Sequence, residues 1–191
     1  MLTHTLAALA VALLPSATAP APVSQDAAAM IASAESAGPA SVAANATIRD
    51  WGGNVLREGT NGWVCLPDRP DTPDATDPWC VDAVWMEFID AWANQREPNI
   101  EAAGIAYMLA GDAAVSNTDP YATEPTEEGD WVTGVKGHLM VVLPDPAALA
   151  GISTEHENGG PWVMWGGTPY AHIMIPIDSY YGGEHMGGMG H

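Results

Sequence analysis

The chain has 191 residues, 47% of them hydrophobic and eight of them Trp, and it sets 24 acidic against 5 basic side chains for a formal charge of −19. That length suits one domain with a sizeable core, and the aromatic content excludes a disordered chain. The acidity excludes nucleic acid and anionic membrane surfaces as partners, since both repel such a molecule, while cations are drawn to it.

Taken in chain order, the first nineteen residues read MLTHTLAALAVALLPSATA. An apolar run from Leu6 to Leu14, then Pro15 and an Ala-x-Ala ending at Ala19, is the pattern of an export signal, although no Lys or Arg opens it. The run is too short to span a bilayer. Residues 1–25 are therefore expected to be a signal peptide and low-complexity leader. A single domain is expected over 26–179, and a flexible Gly/His/Met tail over 180–191. The expected location is secreted or periplasmic, with no integral membrane segment.

Residues 26–37 have helical composition and stop at Gly38-Pro39. Residues 46–68 alternate short β-like runs with the turn sequences GGN and TNG, which predicts a three-stranded meander. Cys65 and Cys80 are the only cysteines and bracket a Pro- and Asp-rich stretch that has no means of packing itself. In an exported chain this predicts a Cys65–Cys80 disulfide, worth ~3 kcal/mol by chain entropy. Over 78–95, Val81, Val84, Trp85, Phe88, Ile89 and Trp92 fall at helical spacing, which predicts one amphipathic helix packed on a sheet.

A strand is expected over 103–112, followed by the acidic loop SNTDPYATEPTEEGDW. Next come a strand over 138–143, a brief helix in DPAALAG, and a hairpin of PWVMW and PYAHIMIPI around GGT. Runs of strands broken by few helices predict an α+β domain, its sheet largely antiparallel, with one or two packed helices. Three phrases, NVLREGTNGW, SNTDPYATEP and GGPWVMWGGTPYAH, resemble an uncharacterised family of small secreted bacterial proteins over roughly residues 46–178. The resemblance implies export and a one-domain architecture. The family has no assigned activity, so no catalytic residue follows from it.

One pattern points to chemistry. GHLMVVLPD (137–145) returns in altered form as AHIMIPID (171–178), so that His138 and Met140 are echoed by His172 and Met174. In a strand each His shares a face with its Met, while Leu139, Val141 and Leu143, or Ile173, Ile175 and Ile177, point the other way. The aliphatic faces are expected to pack on a helix. If the two strands are neighbours, opposed Cβ atoms lie ~5 Å apart and four side chains can surround one ion. Two imidazoles with two thioethers favour copper, especially Cu(I), over calcium, magnesium or zinc. Met108 is a candidate further sulfur, and His185, Met186, Met189 and His191 of the tail are candidate ion carriers. The ordinary alternative is a core in which Met fills gaps and each His is satisfied by a backbone carbonyl.

Other classes have weaker signals. Asp112, Asp119, Glu124, Glu127, Glu128 and Asp130 offer oxygen ligands for calcium, without the spacing of a calcium loop. Trp162, Trp165 and Tyr170 suggest an interaction or surface module with a protein or glycan partner, with one of the two Trp expected to be exposed because their spacing sends them to opposite strand faces. His156 near Ser153 is the one hint of an unrecognised hydrolase; G-x-S-x-G, H-E-x-x-H and nucleotide-binding glycine loops are all missing, as is the C-x-x-C-H of attached haem.

Overall fold

The computed structural model describes residues 25–125 and 130–177. The expected leader up to residue 24, the expected tail, and Glu127 and Glu128 lie outside the described residues. In chain order the elements are α1 (Gln25–Ser36), α2 (Ala40–Ala43), β1 (Thr47–Arg49), β2 (Val55–Arg57), β3 (Val64–Leu66), β4 (Trp79–Val81), α3 (Ala83–Ala93), β5 (Gly104–Met108), β6 (Val115–Ser116), β7 (Trp131–Val132), β8 (His138–Val142), β9 (Trp162–Met164) and β10 (His172–Pro176). Short 3₁₀ turns cover Pro146–Leu149 and His156–Asn158.

Eight strands form one sheet in the order β2-β1-β3-β4-β5-β8-β10-β9, and β6 and β7 form a separate ribbon. Every pairing in the large sheet is antiparallel except β1 with β3, so the architecture is a single α+β domain with a mostly antiparallel sheet. Among the described residues no helix is long and apolar enough to cross a membrane.

The three-stranded meander expected over 46–68 is corrected. β1 lies between its two partners, antiparallel to β2 and parallel to β3. The chain returns across β1 at Gly59, where a Cβ would stand 2.2 Å from the Thr47 nitrogen, so no side chain fits. This return places Cys65 directly opposite Cys80 on β4, and the two form the expected disulfide. An Ala-rich cluster of Ala34, Ala37, Ala43 and Ala46 packs with Ile48 and the disulfide sulfurs.

The helix expected over 78–95 begins later. Trp79–Val81 is a fully buried strand, and a buried strand shows the same unbroken apolar run as a buried helix. Asp82 marks the true start: its Oδ1 caps the helix by accepting from Trp85 N at 2.9 Å, and its Oδ2 accepts from Ile105 N at 2.7 Å, tying the helix to β5. α3 then buries Trp85, Phe88, Ile89 and Ala91 against the sheet.

A larger correction concerns the faces of the sheet. The aliphatic faces of β8 and β10 do not pack on the helix. The His/Met faces do: His138, Met140, His172 and Met174 are all buried, whereas Leu139, Val141, Ile173 and Ile175 are half-buried. Ile105 and Ile177 are 38% and 52% exposed. Among the described residues a small cluster of Leu149, Val163 and Ala171 packs against part of this outer side at Leu143 and Ile173.

Candidate functional site

Four strands supply the inner face. Met140 on β8 stands directly opposite Met174 on β10. The two histidines flank this pair in opposite directions: Met108 of β5 is opposite His138, and Met164 of β9 is opposite His172. Each imidazole thus lies two residues along its strand from the Met pair, ~7 Å by the rise of a strand. The duplicated segments are neighbours, yet the four expected ligands form a diagonal line rather than a closed ring. Met108, expected as a further sulfur, is fully buried beside His138.

Both imidazoles are oriented in the same way. Nδ1 of His138 lies 2.9 Å from the Lys136 carbonyl, and Nδ1 of His172 lies 2.9 Å from the Tyr170 carbonyl. A carbonyl only accepts, so Nδ1–H donates and the lone pair of each ring sits on Nε2. This second bond is the one that orients histidines as metal ligands. It also satisfies half of a core histidine.

Beyond Nδ1 the two rings differ. His172 is enclosed by aromatic edges and faces, with ring centres of Trp165, Trp85 and Phe88 at 5.0, 5.4 and 5.6 Å. Its Nε2 is buried and has no hydrogen-bond partner among the described residues. His138 Nε2 lies 3.9 Å from Oδ2 of Asp112, too long for a hydrogen bond. Burial pushes both imidazoles down to about 4, so both are neutral at pH 7. Asp112 is pushed up to about 7, chiefly by burial, against the pull of Arg69. Arg69 is itself committed to fully buried Asp77, with Nε 2.8 Å from Oδ2.

His172, Met140, Met164, Asp112, Arg69 and several Trp rings line a small, partly open cavity of about 30 Å³. That volume is the size of one water or one ion. Two of the four expected ligands, His172 and Met140, line it. Met174 adjoins through its pairing with Met140, and His138 approaches through Asp112. Sequence reading missed Met164, and it offered Asp112 only as an oxygen ligand for calcium. A strict hairpin register would have found Met164, which the β9–β10 pairing sets opposite His172. Asp112 carries no such signal, because it follows a turn at Gly111, where φ is 134°.

The remaining candidates disperse. Among the described residues no three His, Cys, Asp or Glu side chains group closely enough to hold a metal ion. Asp119 accepts from Tyr121 N, and Asp130 accepts from Ser116 Oγ at 2.6 Å, which ties the end of the acidic loop to the ribbon. Ser153 Oγ accepts from Glu155 N, a local turn contact. Trp162 and Trp165 are both buried, contrary to the expectation that one is exposed. Trp165 has left the strand with φ 54°, its ring stacks near Phe88 and Trp92, and its Nε1 donates to the Ser116 carbonyl at 2.9 Å. Tyr170 is buried as well.

No family model, no curated protein and no solved structure matches the chain.

Proposed function

We propose that the protein acts outside the cytoplasm, secreted or periplasmic, as a binding protein for a soft metal ion, most suitably Cu(I). The ligands are His172 Nε2 and the thioethers of Met140 and Met164. Asp112 lines the same space, and Met174 and His138 stand beside its lining residues Met140 and Asp112. Neutral imidazole and thioether together select Cu(I) over hard cations, and the −19 charge raises the local concentration of any cation. The disulfide accords with an oxidising compartment.

One observation carries the reading: a buried imidazole nitrogen with no partner among the described residues belongs to a residue lining an ion-sized cavity that two methionines also line. Leaving such a nitrogen unsatisfied costs about 1–3 kcal/mol, which a ligand would recover. A single water is the competing occupant, since His172 Nε2 and the partnerless Nε1 of Trp79, which also lines the cavity, would both bond to it.

The test is a Cu(I) titration under ascorbate in the full chain with the tail donors replaced (His185→Ala, Met186→Leu, Met189→Leu, His191→Ala), followed by the His172 side-chain NMR signals. One equivalent should bind and shift His172, and Met140→Leu with Met164→Leu should weaken binding at least tenfold. Equal binding with and without those two sulfurs would sink the reading in favour of water.

A further inference from the structure

The outer surface carries a groove of about 330 Å³ between the β1–β3 region and the exposed side of α3, lined among others by Trp51, Asp71, Met86, Asp90 and Ala93. Two of its residues, Arg69 and Trp92, also line the small cavity. The groove and the cavity are therefore separated by one layer of side chain. We infer that this groove is the entrance through which a soft cation reaches the cavity, with the indole of Trp92 as the gate. The inference rests on the metal-binding reading above and adds to it a route and a barrier.

The two shared residues are held differently. Arg69 is fixed by the buried carboxylate of Asp77 and by its backbone nitrogen on the same side chain. Its charge is neutralised there, which lowers its repulsion of an incoming cation. Trp92 is half-buried at the end of α3, where its Nε1 donates to the Pro120 carbonyl at 2.9 Å and its ring stacks on Trp165. Of the two, Trp92 is the one held without an ion pair, so its swing costs one hydrogen bond and the stacking on Trp165. The groove itself offers a soft donor, the Met86 thioether, and the carboxylates of Asp50, Asp71 and Asp90; Arg49 and Arg69 offset part of that negative charge. A cation arriving from water thus meets oxygen ligands and one sulfur before it meets the inner sulfurs and imidazole.

A route through Trp92 predicts effects on rate that outrun effects on affinity, since a gate alters passage in both directions. The measurement is stopped-flow uptake of Ag(I), a redox-inert stand-in for Cu(I), by the full chain with the four tail donors replaced. Ala93 is exposed and lines the groove, so Ala93→Trp fills the groove without touching the core. It should slow uptake and release about tenfold each and leave the equilibrium constant unchanged. Trp92→Ala should speed both by a similar factor. Should Trp92→Ala fail to fold, the Ala93→Trp rates decide alone. Unchanged rates in Ala93→Trp overturn the entrance, while the metal reading stands. A parent chain that takes up no Ag(I) overturns both.

Discussion

The two faces of the β5-β8-β10 part of the sheet reverse the usual allotment of hydrophobicity. Ile105, Leu139, Val141, Ile173, Ile175 and Ile177 lie on the outer face, half-buried or exposed, while His138, His172 and the three methionines Met108, Met140 and Met174 occupy the buried inner face. Transfer from water favours the opposite placement, because burying an imidazole costs free energy that burying isoleucine returns. The inner face compensates through aromatic packing: Trp85, Phe88 and Trp165 surround His172. The comparison teaches that burial here follows shape and softness as well as hydropathy.

The largest test of this contrast is truncation on each face. Phe88→Ala, at the centre of the inner packing, should cost about 3–5 kcal/mol in chemical denaturation, whereas Ile105→Ala or Ile177→Ala on the outer face should cost less than about 1 kcal/mol. Equal losses would abolish the distinction between the faces. Next in size is the disulfide. Replacing Cys65 and Cys80 by Ser should lower stability by about 3 kcal/mol, since the bond closes a loop of sequence separation 15 under a core of small Ala side chains. Unfolding should show that loss without any change in metal uptake, because the bond lies in a different cluster from the cavity.

The pH response is a finer probe. The folded pKa of His138 and of His172 is depressed, to about 4, so the unfolded chain takes up two protons near pH 6.5 that the folded chain refuses. Their contribution to stability is present above pH 6.5 and lost as the pH falls toward 4. Asp112 works in the other sense: with its folded pKa raised to about 7, its contribution is complete below about 4 and is lost as the pH rises through 7. Between pH 4 and 6.5 the net difference is one proton, or about 1.4 kcal/mol per pH unit. Asp112→Asn should steepen the acid loss toward two protons, and His172→Phe should flatten it, both read from urea midpoints against pH. A midpoint that rises as the pH falls over this range, or one that does not move in Asp112→Asn, would show that the imidazoles titrate normally.

The smallest effect on stability is the most informative about chemistry. Met140→Leu with Met164→Leu conserves volume and should cost less than about 1.5 kcal/mol per site. A packing role for the sulfurs would end there; a ligand role adds the loss of soft-ion binding.

Much of the fold was legible in the chain. Two cysteines around a loop that cannot pack itself leave one pairing, and the alternation of β8 and β10 identifies both strands and their shared faces. What alternation cannot say is which face turns inward. That is decided by α3, whose Trp85 and Phe88 fit around His172, and by no property of the strands themselves. Trp79–Val81 read as helix because a strand buried on both faces has no period. The parallel β1–β3 pairing depends on a chain return at Gly59 that local turn signals do not encode. Within the candidate site, His172 and Met140 were legible from their duplicated spacing. Asp112 stood out only as one of six loop carboxylates, because it reaches the cavity from a turn.

Copper K-edge X-ray absorption of the one-equivalent Cu(I) complex, in the chain with its tail donors replaced, tests the central claim most directly. The account predicts a first shell of thioether sulfur together with imidazole nitrogen, with the sulfur scattering lost in the Met140→Leu, Met164→Leu chain. A shell of nitrogen and oxygen alone, unchanged by those substitutions, would contradict it.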